Sequence, residues 1–223
     1  MIERKFRTKR LAWMVGIAIS AVSLASTAMA TPESPIVFGP KLTTDRPVRA
    51  VVGPSVRIDD EGRISLAWME EDKDIRAVLY ARTEKSGGAI GAPVKVNQPT
   101  EAPYMRQEAP ALAVAGDDVF MTWALTHPKL TADKPFSNEL RLSRSTDGGK
   151  TFLPSILVND DEQVIGHSFD SIHVAPDGVV HVAWIDGREG KKEPGTFVTR
   201  STDRRIAPGE LFPEWTDAHL KEH

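Results

Sequence analysis

The chain has 223 residues, with 28 Lys and Arg against 31 Asp and Glu, 40% hydrophobic side chains and no cysteine. This is enough apolar material for one folded core. The absence of cysteine excludes both a disulfide framework and a lipid-modified cysteine anchor.

Residues 1–30 read as an export signal. Arg4, Lys5, Arg7, Lys9 and Arg10 form a basic start, Leu11 to Thr27 is largely apolar, and Ala28-Met29-Ala30 is a small-x-small cleavage site. The apolar run is short for a membrane span and meets that site directly, so cleavage before Thr31 is expected rather than a retained anchor. Without Glu3 and those five basic residues, 23 basic side chains face 30 acidic ones, a net −7. That balance disfavours nucleic acid and anionic membranes as partners. The expected location is the periplasm or outside the cell, with no stable membrane anchor after cleavage and a lead-in over residues 31–53.

From residue 54 the chain repeats. One copy runs from Pro54 to Trp68, a second from Pro110 to Trp123 and a third from Asp170 to Trp184. Each is a period-two apolar run, a turn rich in Asp and Gly, and a second run ending in Trp, which predicts a β-hairpin. A third strand ends in Arg each time: Leu79–Arg82, Leu140–Arg144 and Phe197–Arg200. A fourth ends in Asn twice: Val94–Asn97 and Ile156–Asn159. Repetition of the same landmarks favours four-stranded antiparallel propeller blades over a β-sandwich. Blades are predicted over about 54–97, 110–159 and 170–203.

Between the third and fourth strands of the second copy stands Ser145-Thr146-Asp147-Gly148-Gly149-Lys150-Thr151-Phe152. Asp147 can accept bonds from the turn's own N–H groups, and Gly148 and Gly149 tolerate the positive φ of a tight reversal. Ser145 and Thr151 supply hydroxyls, and Phe152 supplies an apolar anchor. This segment resembles the Asp-box of the sialidase superfamily, whose members are six-bladed β-propellers. The resemblance implies that these turns lie opposite the ligand face. It also implies a glycan-directed protein with no cofactor and no metal.

The third copy begins the same motif at Ser201-Thr202-Asp203 and then departs, and residues 204–223 show no alignable fourth strand. A truncated or shifted reading frame is the favoured explanation. Two chains closing one ring through open blade edges, or a diverged cap, are the alternatives.

On the ligand face, the connecting loops carry Glu70, Tyr104, Arg106, Glu108, His127, His167, Asp170, Asp186 and Arg188. Of these, Arg106, Glu108, His167, Asp170 and Arg188 are the expected ligand contacts, and Asp186, Arg188 and Tyr104 are weak catalytic candidates. Sialidases use three arginines on the substrate carboxylate, a Tyr paired with Glu, and an Asp acid/base. The match is thin, since Tyr80 falls at a packing position and Asp45-Arg46-Pro47 only faintly echoes the family's opening motif. The Asp186-Gly187-Arg188 pair reads equally as a local turn ion pair. His173 and His181 read as cross-strand packing rather than a metal pair, and neither Asp59–Gly62 nor Asp160–Glu162 has calcium-loop spacing. The reading is an exported, glycan-directed propeller protein without turnover. An exo-sialidase and a protein-binding scaffold are its alternatives.

Overall fold

A computed structural model describes residues 50–73, 75–105, 108–188, 194–201 and 216–217, all within one compact unit, Lys41–His223. The export signal, Asp45-Arg46-Pro47 and Arg106 lie outside the described residues.

The fold is all-β, with three four-stranded antiparallel sheets, each a meander in chain order. The first holds β1 (Ala50–Ile58), β2 (Ile64–Asp72), β3 (Ile75–Arg82) and β4 (Val94–Lys95). The second holds β5 (Ala111–Ala115), β6 (Asp118–Thr126), β7 (Asn138–Ser145) and β8 (Ile156–Leu157). The third holds β9 (His167–Val174), β10 (Val180–Asp186), β11 (Gly195–Arg200) and β12 (Thr216–Asp217). These are the expected propeller blades. Two readings change: β1 begins at Ala50, inside the expected lead-in, and the third blade does have a fourth strand, because Thr216 and Asp217 pair with Arg200 and Thr199. Two residues are too few for a periodic signal, so sequence alone could not reveal it.

The β5 strand touches both β1 and β9, which gathers the first strand of every blade around one axis. Side chains alternate between the two faces of each strand, so the middle blade is buried on both sides. Val119, Met121 and Trp123 of β6 face Ala67, Met69, Val78 and Tyr80 of the first blade. Phe120, Leu140 and Leu142 face Ile172, Val182 and Trp184 of the third.

The repeated Arg and Asn have distinct jobs. Arg82 pairs with Asp59 in its own blade's first turn and donates to Gly116 O of the next blade at 2.8 Å. Arg144 binds Asp118 at 2.7 Å. Asn97 Oδ1 accepts from the Val78 N–H at 2.8 Å, and Asn159 Oδ1 from the Leu140 N–H at 2.9 Å. The amide side chain thus extends the β3–β4 and β7–β8 ladders past their last backbone bond.

The Ser145–Phe152 turn is built as its residues require. Asp147 Oδ1 accepts from the Lys150 and Thr151 N–H groups at 3.0 and 2.9 Å, and Oδ2 from the Thr151 hydroxyl at 2.6 Å. Burial raises the Asp147 carboxyl, but Thr151, Ser145 and Lys150 together outweigh it and hold it at about 2. Ser145 Oγ accepts from the Gly149 N–H at 2.8 Å. Phe152 meets Tyr80 of the first blade edge-on, ring centres 5.5 Å apart, so the turn seals a blade junction. At the matching position Ser201 instead accepts from the Val180 N–H at 3.0 Å; Thr202 and Asp203 lie outside the described residues.

Candidate functional site

The face opposite these turns carries two groups of polar side chains. The first lies at the axis. In β1, Val52 pairs with Met69 and Ser55 with Ala67, so Gly53 and Pro54 both stand opposite Trp68. In β9, Ser168 pairs with Ile185 and Ser171 with Ala183, so Phe169 and Asp170 both stand opposite Trp184. These are equivalent β-bulges, a feature that re-aims side chains and is common beside binding sites. The first blade fills its bulge with Gly53-Pro54, and the matching pair ahead of β5 is Ala109-Pro110. The third blade has Phe169-Asp170 instead.

That departure lines a cavity of about 370 Å³ together with Ser55, Arg57, Glu108 and Ser171. Its walls come from β1, β9 and the lead into β5, so all three blades contribute. The size is that of a small-molecule pocket. Asp170 is half-buried and accepts from the Thr122 hydroxyl of the middle blade. Burial, reinforced by the charge of Glu108, pushes the Asp170 carboxyl up to about 6 despite that bond. Burial also raises Glu108, against the bonds it receives from the Ser168 hydroxyl and the Phe169 N–H. The second of these spans 3.4 Å. Both neighbouring carboxyls are thus held above their ordinary values, so protonated acid persists in the pocket into mildly acidic conditions.

The second group surrounds Arg188. Its guanidinium lies 2.7 Å from Asp186, 2.8 Å from Asp160 and 3.2 Å from Asp161, and 3.9 Å above the centre of the Phe197 ring. Asp186 Oδ2 also accepts from the Trp184 indole at 3.0 Å. His167, fully buried, presents Nδ1 to the Asn138 carbonyl at 2.7 Å and Nε2 to Asp161 at 2.9 Å. A carbonyl only accepts, so Nδ1 donates in the first of these bonds. Asp161, His167 and Asp186 bring three ligand atoms within 4.8 Å of one another. Each already holds a hydrogen-bond or ion-pair partner, and Arg188 supplies the positive charge a cation would bring. The group joins the loop after β8 to the start of β9 and the end of β10, and is the local pairing that Asp186 and Arg188 allowed in sequence, extended to two more carboxylates.

The remaining candidates sit elsewhere. Glu70 is buried and accepts from the Trp68 indole at 2.8 Å, as Asp186 does from Trp184. The middle blade has Leu125 at that position, and Trp123 Nε1 finds no acceptor among the described residues. Tyr104 is 7% exposed, its hydroxyl 3.4 Å from the Pro135 carbonyl. His127 is buried, its Nδ1 accepting from the Lys129 N–H at 3.0 Å, and burial lowers its pKa. His173 and His181 are direct cross-strand partners on the third blade's outer face. Of the expected contacts, the fold gathers Glu108 and Asp170 at the axis, and His167 and Arg188 in the second group. Phe169 and Thr122 were missed. For Phe169 the usable signal was the break from small-then-Pro in the aligned copies.

No protein-family model matches the chain, and no curated protein matches it. Solved structures do. A family 117 glycoside hydrolase of Zobellia galactanivorans has a TM-score of 0.47 and 10% identity over 69% of this chain and 52% of that one. An α-L-arabinanase of Penicillium chrysogenum, complexed with arabinobiose, has a TM-score of 0.44 and 11% identity over 69% and 46%. The NanB sialidase of Streptococcus pneumoniae has a TM-score of 0.41 and 13% identity over 64% and 20%. The chain spans about half the length of the first two and a fifth of the third.

Proposed function

We propose that this is an exported, glycan-directed propeller protein that engages its sugar at the axial pocket. The observation that carries this reading is the Glu108–Asp170 pair, with Asp170 raised to about 6 at the wall of the cavity. A carboxyl raised in this way is protonated in mild acid, where it donates to a sugar oxygen, and once ionised it accepts from a sugar hydroxyl. The same pairing of an acid with a carboxylate underlies glycoside hydrolysis. The test is titration of the purified protein with neutral oligosaccharides, using wild type, Glu108→Gln and Asp170→Asn. Binding by wild type that weakens in both variants supports the reading. Failure of wild type to bind any of them overturns it.

The Ser145–Phe152 turn keeps an exo-sialidase as the second reading. Against it stands the charge of the pocket. Sialic acid needs a cationic cluster for its carboxylate. Among the described residues Arg57 is the one cation lining the pocket, and Arg188 is held among three carboxylates. Hydrolysis of a fluorogenic sialoside, abolished by Arg188→Ala, would restore the sialidase reading.

A further inference from the structure

Phe169 is the one residue of the axial pocket that the fold alone does not explain. It has φ +57°, a left-handed backbone that glycine tolerates and a phenylalanine resists. The equivalent bulge residue of the first blade, Gly53, also has positive φ, +24°. A phenylalanine there costs conformational energy, and packing does not offset the cost, since Phe169 is 70% exposed. The backbone pose is held from the side: the Phe169 N–H donates to Glu108, 61 residues earlier. Asp170, next in the chain, is tied to Thr122. Strain retained without packing benefit, beside a carboxyl pair and within a cavity, marks a ligand contact.

We propose that Phe169 is a stacking platform for the apolar face of an uncharged sugar ring, whose hydroxyls Glu108 and Asp170 engage. The ligand class follows from the surroundings. An exposed phenyl ring offers a flat apolar face with polarised edges, which suits the C–H face of a pyranose. The two flanking acids engage hydroxyls and, once ionised, outnumber Arg57, the cation in the same wall, so they disfavour a carboxylate-bearing sugar. This inference rests on the glycan reading above and specifies which sugars and which contact.

The test pairs stability with binding. Wild type, Phe169→Gly, Phe169→Tyr and Phe136→Ala are each melted and titrated with cellotetraose, xylotetraose and the anionic sialyllactose. Phe136 is a second exposed phenyl, 64% accessible, that does not line this cavity. Wild type is expected to bind a neutral sugar and to prefer it over sialyllactose. Phe169→Gly is expected to melt no lower than wild type, because glycine relieves the left-handed strain, yet to bind at least about tenfold more weakly. Phe169→Tyr and Phe136→Ala should stay within about threefold of wild type. Equal binding by wild type and Phe169→Gly overturns the platform while leaving the glycan reading intact. Preference for sialyllactose overturns the neutral class, and no binding by wild type overturns the glycan reading itself. A fall in melting temperature in Phe169→Gly would show that the ring serves the fold instead.

Discussion

Replacing Asp170 with Asn tests the electrostatics of the axial pocket directly. Its carboxyl is raised from 3.8 to about 6, chiefly by burial and then by Glu108. The folded state therefore binds a proton more tightly than the unfolded chain. Stability from this group is fully present below about pH 4 and is lost as pH rises through about 6. Raising the carboxyl from 3.8 to about 6 corresponds to about 3 kcal/mol above pH 7. Water reaching the half-buried side chain screens part of that, leaving an expected ~1–2 kcal/mol. Asn keeps the shape and can still accept from Thr122, but it never ionises. Asp170→Asn should therefore melt like wild type near about pH 4 and about 3–6 °C higher near about pH 8. Thermal denaturation followed by circular dichroism across that range reads the difference. A gap that does not change with pH, or a variant less stable than wild type in mild alkali, would refute the argument.

Other consequences are equally measurable. A Cβ on Gly149 would lie 1.9 Å from Tyr80 Cε1, at φ +84°, so Gly149→Ala should cost about 3 kcal/mol. Truncating Tyr80 to Ala in the same chain should recover part of that loss, and strictly additive losses in denaturant titrations would contradict the contact. Arg188→Ala leaves Asp160, Asp161 and Asp186 without their cation and should destabilise by about 3 kcal/mol, more at neutral than at acid pH, where carboxylates protonate. Melting at both pH values decides, and a negligible loss counts against the network. Asp147, held at about 2, stabilises the fold above its unfolded value and stops doing so as pH falls through about 2. The deficit of Asp147→Asn in urea titrations should accordingly shrink in strong acid.

The sequence by itself determined the blades. Period-two alternation is a local property, and turn chemistry at Ser145–Phe152 depends on residues within hydrogen-bond reach along the chain. The Trp, Arg and Asn landmarks were legible for the same reason, since repetition exposes what each copy needs. Pairs far apart in the chain were not legible. Glu108 and Phe169 are 61 residues apart, and Thr122 and Asp170 are 48 apart. Only the packing of β1, β5 and β9 around one axis brings them together and raises the two carboxyls. Asp186 and Arg188 were readable as neighbours, but the convergence of Asp160 and Asp161 on the same guanidinium needed the loop after β8 to fold over the third blade. Burial and mutual charge are properties of assembled surfaces, which is why tertiary structure alone separated a locked ion network from an axial pocket with two raised carboxyls.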